Sequence, residues 1–158
     1  MGRSARRDYG YTSSPLVQGE QLIVEVGAAT GNLVAFDKRS GAERWRSEAV
    51  DPAGHNGGSV PIVVEGVPCV AVHHFNGLLV ARADPEAADV GRTVATWPWQ
   101  TEFANNVATP AVLGSAVVMT SAYNHASIGR IFCKDRTGTL VCLELGAAAA
   151  RERPADRP

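Results

Sequence analysis

A pattern of prolines, apolar runs and glycines, repeated three times, limits most strongly what this chain can fold into. A small residue and a proline lead into an apolar run at Pro15, Pro61 and Pro110, which lie 46 and 49 positions apart. The sequence Gly-x-Leu-Val also occurs three times, at Gly31, Gly77 and Gly138. A period of about forty to fifty residues with four short strands in each unit is typical of propeller blades. The sequence therefore predicts an all-β fold, a partial β-propeller of about three four-stranded antiparallel blades.

The clearest unit is residues 31–45, GNLVAFDKRSGAERW, which predicts one β-hairpin. Side chains alternate along an extended chain, so Leu33 and Asp37 are expected on one face and their neighbours on the other. Gly41 can adopt a positive φ in the turn, and Asp37 can accept hydrogen bonds from the turn's backbone. Trp45 ends the return strand with a large side chain to bury. A hairpin alone is only marginally stable, so the unit is expected to pack against the other copies.

The pattern divides the chain into three blades at about residues 9–46, 58–99 and 103–145. The third glycine lies 61 positions after the second, so the third blade is expected to carry an insertion at residues 122–129. Its last strand would contain Gly138 and Leu140 at the positions of Gly31 and Leu33. Residues 1–8 and the alanine-rich and charged tail 146–158 are expected to be disordered.

Tryptophans recur near the end of two units. Trp97 follows Trp45 by 52 positions, and Trp99 lies two residues further on. At repeat positions such rings are expected to pack one unit against the next.

Composition limits the classes of partner and the kinds of targeting or metal-binding segment that the sequence can contain. The formal charge is −1 without a basic stripe, so nucleic acid is not an expected partner. No run approaches the roughly 20 apolar residues of a membrane span. The basic start MGRSARR is followed by polar residues, so no signal peptide is predicted in this sequence. Three cysteines give no metal-binding spacing; Cys69 is expected to be a buried thiol, and a bridge between Cys133 and Cys142 stays open.

Together these features resemble the repeat of the pyrroloquinoline-quinone-like (PQQ-like) β-propellers over about residues 9–145. The best match is GNLVAFDKRSGAERW, and the chain is most similar to members grouped with the propeller lipoprotein of the outer-membrane barrel-assembly machinery (BamB-like). The resemblance implies radial four-stranded blades, tryptophans that dock neighbouring blades, and a periplasmic or envelope location. Members of the family usually close a ring of about seven or eight blades. The sequence is therefore expected to be a piece of a larger propeller, with protein partners or the remaining blades beside it.

Two functions are compatible with the resemblance. The first is a non-catalytic module that binds proteins or ligands. The alternative is a fragment of a PQQ-dependent alcohol or glucose dehydrogenase, with quinone and calcium, whose catalytic residues lie outside this chain. The sequence has neither the adjacent cysteine pair nor an oxygen-ligand cluster expected for that alternative, so no catalytic, cofactor-binding or metal-binding residue is predicted.

Several polar residues are candidates for binding a ligand. His73 and His74 are adjacent in a predicted strand and should point to opposite faces, which disfavours one shared metal. His125 would lie in the inserted loop, where an exposed structural role is expected. Asp51, His55 and Asn56 lie in a glycine-rich connector predicted to be mobile, and are expected to shape its backbone.

Overall fold

The computed structural model describes residues 11–52, 56–99, 105–114, 116–121, 128–134 and 140–145. Every regular element in these ranges is a β-strand. The first sheet contains β1 (Leu16–Gln18), β2 (Gln21–Ala28), β3 (Gly31–Asp37) and β4 (Glu43–Arg46). The middle sheet contains β5 (Val60–Val64), β6 (Val67–His74), β7 (Gly77–Arg82) and β8 (Thr93–Pro98). The third sheet contains β9 (Ala111–Leu113), β10 (Ala116–Ser121), β11 (Ile128–Lys134) and β12 (Leu140–Leu145).

Each sheet is an antiparallel meander in which strands pair in chain order. The prediction of an all-β chain with antiparallel four-stranded sheets is thus confirmed for the described residues. Pro15 and Pro110 directly precede the first strands of their sheets, and Pro61 is the second residue of β5. Each of these prolines is therefore on or next to a strand that has one neighbouring strand among the described residues, where the missing N–H costs no hydrogen bond of the sheet.

The hairpin of β3 and β4 forms as the sequence predicts. Asp37 Oδ1 accepts hydrogen bonds from the backbone N–H groups of Arg39 and Ser40, at 3.0 and 2.8 Å. Gly41 has a φ of 74°. These bonds and the Arg44 guanidinium, 2.5 Å from Asp37 Oδ2, lower the pKa of Asp37, with the Ser40 N–H the largest cause.

The prolines set a common register in the first hairpin of each sheet. The closing pairs are Gln18 with Gln21, Val64 with Val67, and Leu113 with Ala116. In every case the two residues follow the proline by three and six positions. Residues at equal distances from the three prolines therefore occupy matched places in this part of the three sheets.

Two apolar clusters hold the sheets together. One face of the first sheet packs against one face of the middle sheet, through Ile23, Leu33, Ala35 and Trp45 on one side and Val70, Val72, Leu79 and Ala81 on the other. The opposite face of the middle sheet packs against the third sheet, through Cys69, Ala71, Leu78 and Val80 on one side and Val117 and Met119 on the other. The middle sheet is therefore covered on both faces.

Matched residues show that the two interfaces use the same pair of faces. Ile23 and Cys69, each eight positions after its proline, face the following sheet. Val70 and Met119, each nine positions after its proline, face the preceding sheet. Each sheet thus turns the same side toward the next one. Between sheets, the most extensive approaches, with Cα atoms within 8 Å, join β1 to β5 and β5 to β9.

A β-bulge makes the third strands differ. In the first sheet the register shifts between Glu25 and Ala28, and Glu25 pairs with Leu33. In the middle sheet the pairing is continuous, and Val72 pairs with Leu79. A shift of one residue moves side chains to the other face of a sheet. As a result, Leu33 and Leu79 match in the sequence repeat but lie in the same interface, on opposing sheets.

Two predicted equivalences are corrected by the strand order. The third strand of the third sheet is β11, whereas Leu140 begins β12, the fourth strand. The strand that begins at Leu140 is therefore not the counterpart of the Gly31 strand, and β11 begins inside the predicted insertion. Likewise Trp45 pairs with Ala35, but Trp97 pairs with Leu78, three positions nearer the start of the strand. Trp97 is thus not the register counterpart of Trp45.

Other predictions lie outside the described residues: those for residues 1–8, 146–158, His55, His125 and Gly138. The register of the last hairpin pairs Cys133 with Val141 and Cys142 with Phe132, so the two cysteines are not directly opposite each other.

Candidate functional site

The most regular exposed apolar feature is a set of three valines on the first strands, which we name the valine row: Val17, Val63 and Val112. Each lies two positions after its proline. Their exposed fractions are 60%, 64% and 38%. The row continues along neighbouring strands because β5 lies beside both β1 and β9.

Val63 shows that this exposure belongs to the position and not to a missing neighbour. Its sheet is covered on both faces, and Ile62 beside it is buried. Val63 nevertheless stays exposed, at the edge where the first strands meet. A recurring apolar row at such a place is a candidate surface for binding a partner.

The connectors between sheets are fastened by buried asparagines. Asn56 Nδ2 donates to Glu25 Oε1 of the first sheet at 2.5 Å. Asn106 Nδ2 donates to the His74 carbonyl of the middle sheet at 2.6 Å. The Gly57 N–H donates to the Asn106 carbonyl at 2.9 Å, which joins the two connectors. Each connector thus closes on the sheet that precedes it in the chain.

The pKa of Glu25, the carboxyl group that Asn56 binds, is strongly shifted. It is 2% exposed, and its Oε1 also accepts from Asn32 Nδ2 at 3.3 Å. Burial raises the pKa of Glu25 to about 7, and the bonds from Asn32 and Asn56 oppose that rise. The group therefore changes protonation near neutral pH, inside the interface between sheets.

Asp51 connects the first connector to the end of β6. Its carboxylate lies against His74 Nδ1 and accepts a hydrogen bond from the backbone N–H of Asn76 at 3.0 Å. Asp51 and Asn56 are both buried. These two residues do more than shape the backbone of the connector, because the Asp51 carboxylate and the Asn56 amide bind groups of two sheets.

His73 and His74 point to different sides of the middle sheet, as alternation predicts. His73 stacks on Trp99 with ring centroids 5.0 Å apart. Burial lowers the pKa of His73 to about 4, against a smaller opposing effect of the Trp99 carbonyl. His74 binds Asp51 on the side of the first sheet. The two rings do not converge on one ion.

The structure distributes the predicted repeat positions through the sheets instead of gathering them. Trp45 is buried and donates from Nε1 to Gln21 Oε1 at 2.5 Å. Trp99 is buried against the third sheet, and Trp97 packs beside the same cluster. Gly77 has a φ of 142°, and a Cβ there would lie 2.0 Å from the Trp97 carbonyl oxygen. Gly31 is similarly enclosed, whereas Pro15, Gly41 and Pro61 are exposed and Pro110 is buried.

Sequence reasoning did not find the valine row or Glu25. The row had a usable signal, since each valine follows a repeat proline at the same distance. Glu25 had none, because a charged residue between two valines is typical of a solvent-facing strand position.

No family model matches the chain, and no curated protein matches its sequence. Over the described ranges, no three residues among histidine, cysteine, aspartate and glutamate are grouped as a metal site would require. In the same part of the chain no helix has the length and apolarity needed to cross a membrane.

Proposed function

We propose that the chain is a non-catalytic PQQ-like β-propeller module of the bacterial cell envelope, whose sheets are consecutive blades of a larger propeller. One observation carries this proposal: each sheet turns the same face toward the next while the first strands lie side by side. Sheets related by a two-fold axis would place like faces together. A repeated rotation about the first strands keeps the faces in one order, which is the arrangement of propeller blades.

The valine row is the proposed binding surface of this module. In a propeller the first strands line the centre, so the row stays accessible however many blades are added. Its apolar, β-branched side chains and the free edges of the first strands suit an extended apolar peptide segment of a partner protein. The buried polar groups serve the scaffold: Glu25, Asp51 and Asn106 fasten connectors to sheets.

The test uses a displayed library of random peptides, selected on the immobilised full chain. We expect extended apolar peptides to be enriched on the unchanged chain and lost on Val63→Asp. The matched control is Arg39→Glu, an exposed turn residue of the first sheet whose side chain is 80% accessible, which should retain the same peptides. Equal enrichment on Val63→Asp would show that the row is not the binding surface.

A second readout addresses the alternative of a quinone-dependent dehydrogenase. With added PQQ and calcium, the purified chain is expected to give no dye-linked oxidation of alcohols or glucose. Turnover in that assay would favour the dehydrogenase and remove the non-catalytic proposal.

A further inference from the structure

The three-sheet array has two outer faces that carry apolar side chains without a described sheet against them. On the first sheet this face contains Leu22, Val24 and Phe36, which are half-buried, and Val34, the partner of Val24, which is buried. On the third sheet it contains Ala116 and Val118, also half-buried, whereas Val117 and Met119 on the other side are buried. Both faces of the middle sheet, by contrast, are buried.

The two outer faces correspond, by their positions in the repeat, to the two faces that pack together in each internal interface. In both internal interfaces, the face of the residue eight positions after a proline meets the face of the residue nine positions after the next proline. Ile23 and Cys69 represent the first kind, and Val70 and Met119 the second. Val118 lies eight positions after Pro110, and Val24 lies nine positions after Pro15. The outer face of the third sheet is therefore the complement of the outer face of the first.

From this complementarity we infer that the Val118 face of one copy packs on the Val24 face of a second copy, so that two chains join head to tail in one ring. This inference rests on the proposed propeller arrangement and names who supplies the remaining blades. Head-to-tail contacts close into a ring when their rotation returns to the start, and each contact is then used twice. The occupant is a second copy because the contact continues the interface that the chain already forms twice within itself.

The experiment compares the full chain with V24K and V118E by sedimentation velocity across a range of concentrations. The unchanged chain is expected to sediment as a dimer. Either substitution alone places a charge in both contacts of the ring and should weaken dimerisation at least about 100-fold. E86K, in the exposed turn between β7 and β8 of the middle sheet and away from both outer faces and the valine row, is the control and should leave the dimer intact.

Mixing the two variants gives a signature specific to head-to-tail contacts. In a mixed dimer one contact joins two unchanged faces, and the other joins a lysine to a glutamate. The mixture is therefore expected to regain dimer that neither variant forms alone. Circular dichroism and thermal melting of each variant separate loss of assembly from loss of folding. A variant that does not fold is replaced by the milder V24T or V118T, which should weaken the dimer in the same direction.

A monomer at all accessible concentrations, an open-ended polymer, or a mixture that fails to regain dimer would each overturn the second-copy inference. These results leave the propeller proposal standing if a charge at Val70, between the first and middle sheets, still unfolds the chain. A harmless charge at Val70 would instead remove the sheet stack on which both proposals depend.

Discussion

The first and middle sheets begin with the same register, yet they make different surfaces. At matched positions, Val24 is half-buried and Val70 is fully buried, while Glu25 occupies the place of Ala71. The full burial of Val70 follows from its surroundings, because the middle sheet has a neighbour on each face. The bulge directly after Glu25 in the first sheet acts on the third strand, where it turns Leu33 to the face opposite to that of its repeat counterpart Leu79. The repeat thus fixes strand order, while neighbours and a single bulge decide which side chains are buried.

The largest expected effect tests whether packing against neighbouring sheets determines how much the same substitution destabilises the chain. Val70→Asp would bury an unpaired carboxylate between two sheets and should destabilise the chain by about 4 kcal/mol or more. Val24→Asp, at the matched but only half-buried position of the first sheet, should cost less, about 1–2 kcal/mol, when the chain is dilute. Urea denaturation followed by tryptophan fluorescence measures both. Equal costs would mean that the outer face of the first sheet is as enclosed as the middle sheet.

The second expected effect concerns the tryptophan that joins these two sheets. Trp45→Ala removes a buried ring from the cluster of Val70, Leu79 and Ala81, and should cost about 3–5 kcal/mol. Trp45→Phe keeps most of the apolar area but loses the hydrogen bond to Gln21, so a smaller loss is expected. The urea midpoints of the two variants distinguish ring packing from the hydrogen bond. An unchanged midpoint for Trp45→Ala would contradict the role of Trp45 as a contact between the sheets.

The order of strands was accessible from sequence because prolines, glycine turns and alternating apolar runs are local signals. The hairpin of residues 31–45 is the clearest case, since Asp37 and Gly41 perform the turn roles that their chemistry suggests. The bulge was not accessible: the proline-to-glycine spacing is identical for Pro15 with Gly31 and for Pro61 with Gly77. A bulge changes which residues pair across the strands without changing the number of residues between the proline and the glycine, so this spacing does not reveal it.

In the third sheet the sequence motif predicted the wrong strand as the third one. The short motif Gly-x-Leu-Val matches Gly138 to Gly31, but Gly129 and Asp135 repeat the six-residue spacing of Gly31 and Asp37. The longer spacing carries the hairpin's geometry, and it agrees with β11 as the third strand. Glu25 and its partners could not be found in this way, because the asparagine that meets it comes from a connector 31 residues away.

The smallest expected effect is a pH dependence of stability caused by Glu25, which occupies in the first sheet the position of Ala71 in the middle sheet. Burial raises the pKa of Glu25 from 4.5 to about 7, so the folded chain retains a proton that the unfolded chain releases between these pH values. The contribution of Glu25 to stability is therefore complete below pH 4.5 and is lost as pH rises through 7. The interval between the two pKa values corresponds to about 3 kcal/mol.

Glu25→Gln keeps the shape and an acceptor oxygen for Asn56 but does not titrate, so its contribution should stay constant from pH 5 to 8. Relative to this variant, the unchanged chain should lose up to about 3 kcal/mol over the same range. Glu20→Gln is the control, because Glu20 is exposed and its hydrogen bond to Lys38 lowers its pKa, which places its titration below this range. Urea unfolding at successive pH values gives the three curves. Parallel curves for Glu25→Gln and the unchanged chain would show that burial of Glu25 does not make the free energy of unfolding depend on pH in this range. The difference between Glu25 and Ala71 at matched positions would then have no effect on the pH dependence of stability.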